Sequence, residues 1–260
     1  MPTIRDDAIV LRRSDWSETS QVALLFGREH GVVRGLAKGA KRERGAFGGG
    51  LEPLTRGDVG AIIKPSSELA TLTDWSLVEV FWGTRSSSRG FLIGHYIADV
   101  IRHAVQDADP HPELWDATLA SLRAIEEQER AEGALLRFQW ALLGETGYRP
   151  DLTAMDEDED ALQRPNGQWA YEAQRGVVVR RTDAAQASDS WALRTETLGV
   201  LRALSRDEPG AADAASILRA NRFLAACIRW SLGDSPATMA RLFGSSSQFG
   251  PETRPMRSGG

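Results

Sequence analysis

Hydrophobic periodicity changes once along this chain, near residue 86, and no other feature constrains its possible fold as strongly. Before the change, apolar and β-branched residues come in short runs at about residues 8–12, 21–26, 32–38, 51–54, 58–64 and 69–75. Polar or glycine-rich turns separate them, among them SDWSETS at 14–20, Glu29-His30-Gly31 and GAFGGG at 45–50. Strands this short need a shared core, and closing them into a barrel also removes exposed edges. Five or six such strands predict a small antiparallel barrel of the OB type over residues 1–82.

After the change the spacing is helical. Ser86 to Ser88 can cap a helix carrying Ile93, Ile97, Val100, Ile101 and Ala104 on one side. A second helix follows Pro112 with Trp115, Thr118, Leu119, Leu122 and Ile125, and a third spans about 131–146, burying Leu135, Phe138 and Leu142 and ending at Gly147. These three should pack together. Two more helices carry Leu198, Leu201 and Leu204, then Ile217, Leu224 and Ile228, the last with Ser216 and Gly233 at its caps. The expected class is α+β: an N-terminal OB-fold β-barrel, then a helical domain over 83–244 with an insertion at about 153–190. Residues 245–260 hold too little apolar content to order themselves and should form a flexible tail.

A chain of 260 residues with 42% hydrophobic content can bury a sizeable core. No run approaches the roughly 20 apolar residues of a membrane span, and the start MPTIRDDAIV lacks a signal-peptide pattern, so a soluble cytoplasmic protein is expected. The only cysteine, Cys227, rules out an internal disulfide and a cysteine-rich zinc site, and its apolar neighbours Leu224 and Ile228 suggest a buried thiol.

Charge is unevenly spread. The whole chain carries −5, yet from Arg28 to Arg44 six bases face two acids, a local charge of +4. In residues 32–38 the two-residue period of a strand puts Val33, Gly35 and Ala37 on one face and Arg34, Leu36 and Lys38 on the other. Lys41, Arg42 and Arg44 follow, interrupted by Gly39 and Gly45, where backbone can turn tightly or lie against a ligand. A basic patch on an acidic chain points to a localised anionic partner, the alternative being a solvated hairpin tip. Single-strand binding by OB folds also uses aromatic stacking, for which Trp16 and Phe47 are candidates, although core packing is the favoured role for Phe47.

The blocks Ala8-Ile9-Val10-Leu11, Ser17-Glu18-Thr19-Ser20, Glu29-His30-Gly31-Val32-Val33, Ala37-Lys38-Gly39-Ala40-Lys41-Arg42 and Leu51-Glu52-Pro53-Leu54 follow one another along the chain. In that order and spacing they resemble the bacterial RecO family of recombination mediators. His95-Tyr96-Ile97-Ala98-Asp99 and the run from Arg137-Phe138 through Gly147-Tyr148 to Pro150-Asp151-Leu152 continue the likeness to residue 152. The resemblance implies an OB domain followed by a helical domain, binding to single- and double-stranded DNA, strand annealing, and help in loading recombinase onto DNA coated by single-strand-binding protein. It also implies a RecR-like partner, an apolar site for the tail of single-strand-binding protein, and a cytoplasmic, nucleoid-associated location. Carried over residue by residue, it makes Arg34, Lys38, Lys41, Arg42 and Arg44 the DNA contacts.

The chain departs from the family pattern at one place. Many RecO-like proteins carry a four-cysteine zinc module after the Gly-Tyr-x-Pro-x-Leu segment, where this chain has Met155-Asp156-Glu157-Asp158-Glu159-Asp160. No zinc or other cofactor is therefore expected. A metal-free hairpin could persist, with Asn166-Gly167 as a turn joining an earlier stretch to 169–171, and 177–179 as a further strand. The acids lack the glycine-containing pattern of a calcium loop and read as a solvated segment. No phosphate-binding loop, HExxH pair or nucleophile elbow occurs, and His30, His95, His103 and His111 are dispersed, so no enzyme activity is expected. Two alternatives remain open: an OB-fold RNA-binding protein, and a Mg²⁺-dependent nuclease built on Asp156, Asp158 and Asp160.

Overall fold

A computed structural model describes residues 3–63, 67, 69–164, 166, 168–181, 190–208 and 212–244; the expected tail at 245–260 lies outside the described residues. The chain divides into two compact units, Met1–Ala131 and Glu132–Gly260.

In the first unit, strands β1 (Thr3–Asp15), β2 (Gln21–Gly27), β3 (Gly31–Ala37), β4 (Thr55–Ile62) and β5 (Ala70–Val80) close into a barrel in the order β1-β2-β3-β5-β4. Four of the five seams are antiparallel, as the turn-punctuated sequence requires. The fifth is parallel, joining β3 to β5 through Gly35↔Ala70, Leu36↔Thr71 and Ala37↔Leu72. Residues 51–54 are not the strand their apolar content suggested. Pro53 has no amide to give a ladder, and Leu54 sits at φ 56°, donating its own amide to Val10 O at 2.8 Å. Leu51 enters the core as a loop residue instead.

Alternation sorts the strands into two faces. Ala8, Val10, Ala23, Leu25, Ala37, Val59, Leu72 and Trp75 fill the interior, with Val33 packed against them. Gly35 shares that face because Leu72 occupies its side-chain space: a Cβ there would lie 2.4 Å from a Leu72 methyl. The missing side chain of Gly35 thus serves core packing. Residues of opposite parity, Ile9, Phe26 and Val32, are also buried. Helix α2 (Ser88–Ala104) packs on β1, and α3 (Pro112–Ala124) brings in Trp115, whose indole N–H donates to Phe26 O at 3.0 Å. A short helix α1 (Gly83–Ser86) precedes α2, whose cap is Ser87, accepting from Gly90 N at 3.0 Å.

Ion pairs reinforce this barrel–helix contact. Arg28 bonds Asp116 at 2.8 Å, and Glu79 accepts from Arg123 at 2.8 Å and from Arg56 at 3.4 Å, while Arg56 also holds Asp7. The Arg123 guanidinium, helped by Arg56, holds the Glu79 carboxyl below its ordinary value.

The second unit contains α4 (Ala131–Glu145, from its second residue), α5 (Thr153–Asp156), strands β6 (Trp169–Glu172), β7 (Val177–Arg180) and β8 (Ser190–Leu193), then α6 (Thr195–Ser205), α7 (Ala214–Leu232) and α8 (Ala237–Phe243). The three helices expected to pack together are therefore divided, α2 and α3 falling in the barrel's unit and α4 in the other. The hairpin is present, but it joins β6 to β7 through 173–176, and β8 adds a third strand on the other side of β6. Gly167 lies outside the described residues, and Asn166 Oδ1 accepts from Thr195 N at 2.8 Å. Buried Gln139 donates to Asn221 Oδ1 at 2.9 Å, and Asn221 donates to Glu132 O at 3.0 Å, tying α4 to α7. The cap of α7 is Asp213 rather than Ser216: its carboxylate accepts from Ser216 N at 2.9 Å, because the acceptor must stand ahead of the first turn. Gly233 ends α7 at φ 71°, the left-handed cap expected of it. Cys227 is buried in α7, and burial pushes its thiol pKa up.

Trp115→Ala should destabilise the chain by about 3 kcal/mol or more, since it opens a cavity over Phe26 and removes a buried hydrogen bond. We propose that the barrel's folding unit extends to residue 131; a 1–131 fragment should then show a higher urea midpoint than a 1–82 fragment. The Glu79 pairs stabilise the fold above the ordinary carboxyl value of 4.5, and that contribution is lost as pH falls through the lowered folded value. Glu79→Gln should flatten this part of the acid-denaturation profile.

Candidate nucleic-acid interface

Helices α2 and α3 pack on the outer wall at β1 and Phe26, where Ile9, Phe26 and Val32 are buried, whereas Arg12 and Arg34 farther along the strands are exposed. There, Arg12 of β1 pairs across to Leu24 of β2, and Leu24 pairs across to Arg34 of β3, so two exposed arginines flank a buried leucine in one row. Lys38, just past β3, has the outward parity that alternation assigned to it and is exposed. Arg12 was not singled out by the basic run because it lies on another strand. Strict alternation would send Arg12 inward with Ala8 and Val10; a β-bulge between Val10 and Arg12 turns it outward instead, and nothing in the sequence marks that bulge.

After β3 the chain folds into a compact loop over residues 38–50. Gly39 adopts φ 70°, a left-handed conformation in which a Cβ is strained, and the turn closes with Arg42 N donating to Gly39 O at 3.1 Å. Gly45 has no such requirement, and the other positive-φ glycines of this loop, besides Gly39, are Gly48, Gly49 and Gly50. Phe47 anchors the loop in the barrel interior at 5% exposure, and Trp75 N donates to Ala46 O at 2.8 Å. Core packing, not stacking, is the role its position allows.

The loop is also bonded to the β1–β2 turn. Gly39 N donates to Ser20 Oγ at 3.2 Å, Lys41 N to Thr19 O at 3.0 Å, and the Lys41 ammonium to Asp15 Oδ2 at 2.7 Å. That ammonium holds the Asp15 carboxyl below the usual carboxylate range. The five bases singled out in the sequence therefore differ in state. Lys41 is neutralised locally by Asp15, whereas Arg34, Lys38, Arg42 and Arg44 are exposed and, among the described residues, without an ion-pair partner. Trp16 stands on the partnered turn with 64% of its surface exposed.

The acidic segment is arranged differently from the solvated loop its composition suggested. Asp156 is held by Arg202 at 3.2 Å and Arg206 at 3.0 Å, and Asp158 by Arg164 at 2.7 Å. Among the described residues no group of three carboxylate, histidine or cysteine ligands is placed to hold a metal ion. No helix among them is long and apolar enough to cross a membrane.

A closed barrel in this strand order, with a basic strip left open on its wall, defines an OB-fold protein with an electropositive face. The chain belongs to the RecO family. A family model described as Recombination protein O N terminal matches residues 1–81, and one described as Recombination protein O C terminal matches residues 85–239. A Rhodopirellula baltica protein named DNA repair protein RecO is 38% identical over 77% of this chain and 74% of its own length. Proteins of the same name from an Anaeromyxobacter species and from Myxococcus xanthus are 32% and 27% identical, over 66% and 76% of this chain and 66% and 80% of their own lengths.

Gly39→Ala should lower stability by about 1 kcal/mol through left-handed backbone strain, read as a shift in urea midpoint at constant slope.

Proposed function

We propose that this protein is a non-catalytic recombination mediator that binds and anneals DNA strands and helps load recombinase onto DNA coated by single-strand-binding protein. The observation that carries the reading is membership of the RecO family across both halves of the chain, in a molecule whose barrel keeps four bases, without an ion-pair partner among the described residues, on its open face and loop. Lysine and arginine contacts to phosphate release condensed counterions, which supplies most sequence-independent affinity. Neutralising two strands at once lowers their repulsion and raises their local concentration, and annealing follows. Arg34, Lys38, Arg42 and Arg44 contact phosphate directly. Lys41 reaches it only by exchanging Asp15 for a phosphate oxygen.

A RecR-like protein and single-strand-binding protein are the protein partners in this reading, and the cytoplasm, at the nucleoid, is its location. For the tail of single-strand-binding protein, the second unit offers a cavity of about 450 Å³ walled by Leu136, Val200, Leu204 and Ile217, with Arg137 exposed at its edge.

Annealing of complementary strands precoated with single-strand-binding protein is the decisive assay, because neither an RNA-binding protein nor a metal-dependent nuclease would perform it. Lys38→Glu/Arg42→Glu/Arg44→Glu should weaken binding to all sequences alike. The log–log salt slope should fall by about 0.7 to 0.9 for every phosphate that the variant no longer neutralises. Unchanged affinity and slope in this folded variant would make the cluster a solvated surface.

A further inference from the structure

Trp16 combines a fixed backbone with a side chain left in water. Its amide donates to Ser20 O at 2.9 Å, Ser17 N donates to the same oxygen at 3.2 Å, and Ser20 N donates to Ser17 Oγ at 3.1 Å, closing the turn tightly. The three bonds from Gly39 and Lys41 then lock this turn to the basic loop, one of them through Asp15, the residue immediately before Trp16. An indole gains more from burial than most side chains, and Trp75, Trp115, Trp140 and Trp169 of this chain are buried. Trp82 is the other strongly exposed tryptophan among the described residues, but it stands at the start of α1 and has no bond to the basic loop.

We propose that Trp16 is a stacking platform for an unpaired base and that it gives the barrel face a preference for single-stranded over duplex DNA. The proposal rests on the DNA-binding reading above and deepens it. Phosphates are presented by both forms of DNA, so the cations of the loop cannot tell them apart. A flat apolar ring can, because only a single strand has base faces free to lie on it, and every base has such a face. The Asp15–Lys41 pair acts as a positioning contact. It sets the ring beside the phosphate-binding loop so that a nucleotide held by its backbone brings its base to the indole. Because the turn is already ordered, little conformational entropy is lost when the base docks.

The test compares wild type, Trp16→Ala and Trp16→Phe on a single-stranded oligonucleotide, on an abasic strand of the same length, and on a duplex closed by hairpin loops at both ends. Trp16→Ala should weaken binding to the single strand about tenfold or more, as loss of one stacked base predicts. It should leave duplex affinity within about twofold and the salt slope unchanged, since the phosphate-binding cations are untouched. Trp16→Phe, which keeps a π face, should recover most of the loss. Wild type should bind the abasic strand about as weakly as Trp16→Ala binds the normal one. Undiminished single-strand binding by Trp16→Ala would overturn the proposal. So would an equal loss on single strand and duplex, which would make Trp16 a support for the basic loop alone. Absence of salt-dependent binding to any of the three DNAs by wild type would overturn the DNA-binding reading itself, and the proposal with it.

Discussion

Everything on the barrel face depends on the short parallel seam between β3 and β5. Only three residue pairs form it, and it fits because Gly35 gives its side-chain space to Leu72. A strand clamped on both sides cannot slip by one residue without exchanging its faces, so the seam also fixes which side chains of β3 meet water. Arg34 and Lys38 point outward for the same reason that Val33 and Ala37 point inward. With β3 set, Phe47 reaches back into the barrel, and the loop between them has both ends tied down. An electropositive face thus follows from a packing decision made in the interior.

Features that depend on near neighbours in the chain were legible in the sequence. The alternation of residues 32–38, the burial of Phe47 and the left-handed cap at Gly233 each follow from a few adjacent residues. Features that need a distant partner were not. Nothing near Lys41 announces that Asp15, on the far side of a strand pair, will neutralise it. Leu51 to Leu54 has the composition of a strand, and only the left-handed turn at Leu54 and the missing amide of Pro53 remove it. Ser216 is a good capping residue in isolation, yet Asp213 stands where the first free amides point. The helical periodicity after residue 86 was clear, but periodicity says which face a helix buries and not against what. Hence α2 and α3 were read with α4, although they share a unit with the barrel.

The two units use charge in opposite ways. On the barrel's open wall and its loop, Arg34, Lys38, Arg42 and Arg44 have no ion-pair partner among the described residues, so their field reaches solvent and falls off with added salt. In the segment around Asp156 and Asp158, acids meet arginines from α6 and from Arg164, and the charges are used locally to join pieces of chain. One chain thereby carries an exposed field that added salt screens and a segment whose charges serve its own cohesion.

Cys227 gives the second unit an internal clock. Its sulfur is buried in α7 and its thiol is held protonated by that burial, so a soluble oxidant or alkylating reagent finds no thiolate to attack in the closed state. Because no second cysteine exists in the chain, no internal disulfide can divert the reaction. When labelling outruns reclosing, the pace at which this single sulfur is modified is the pace at which α7 opens; when reclosing is faster, the labelling rate gives the free energy of that opening, and either is read in the intact protein without introducing any probe.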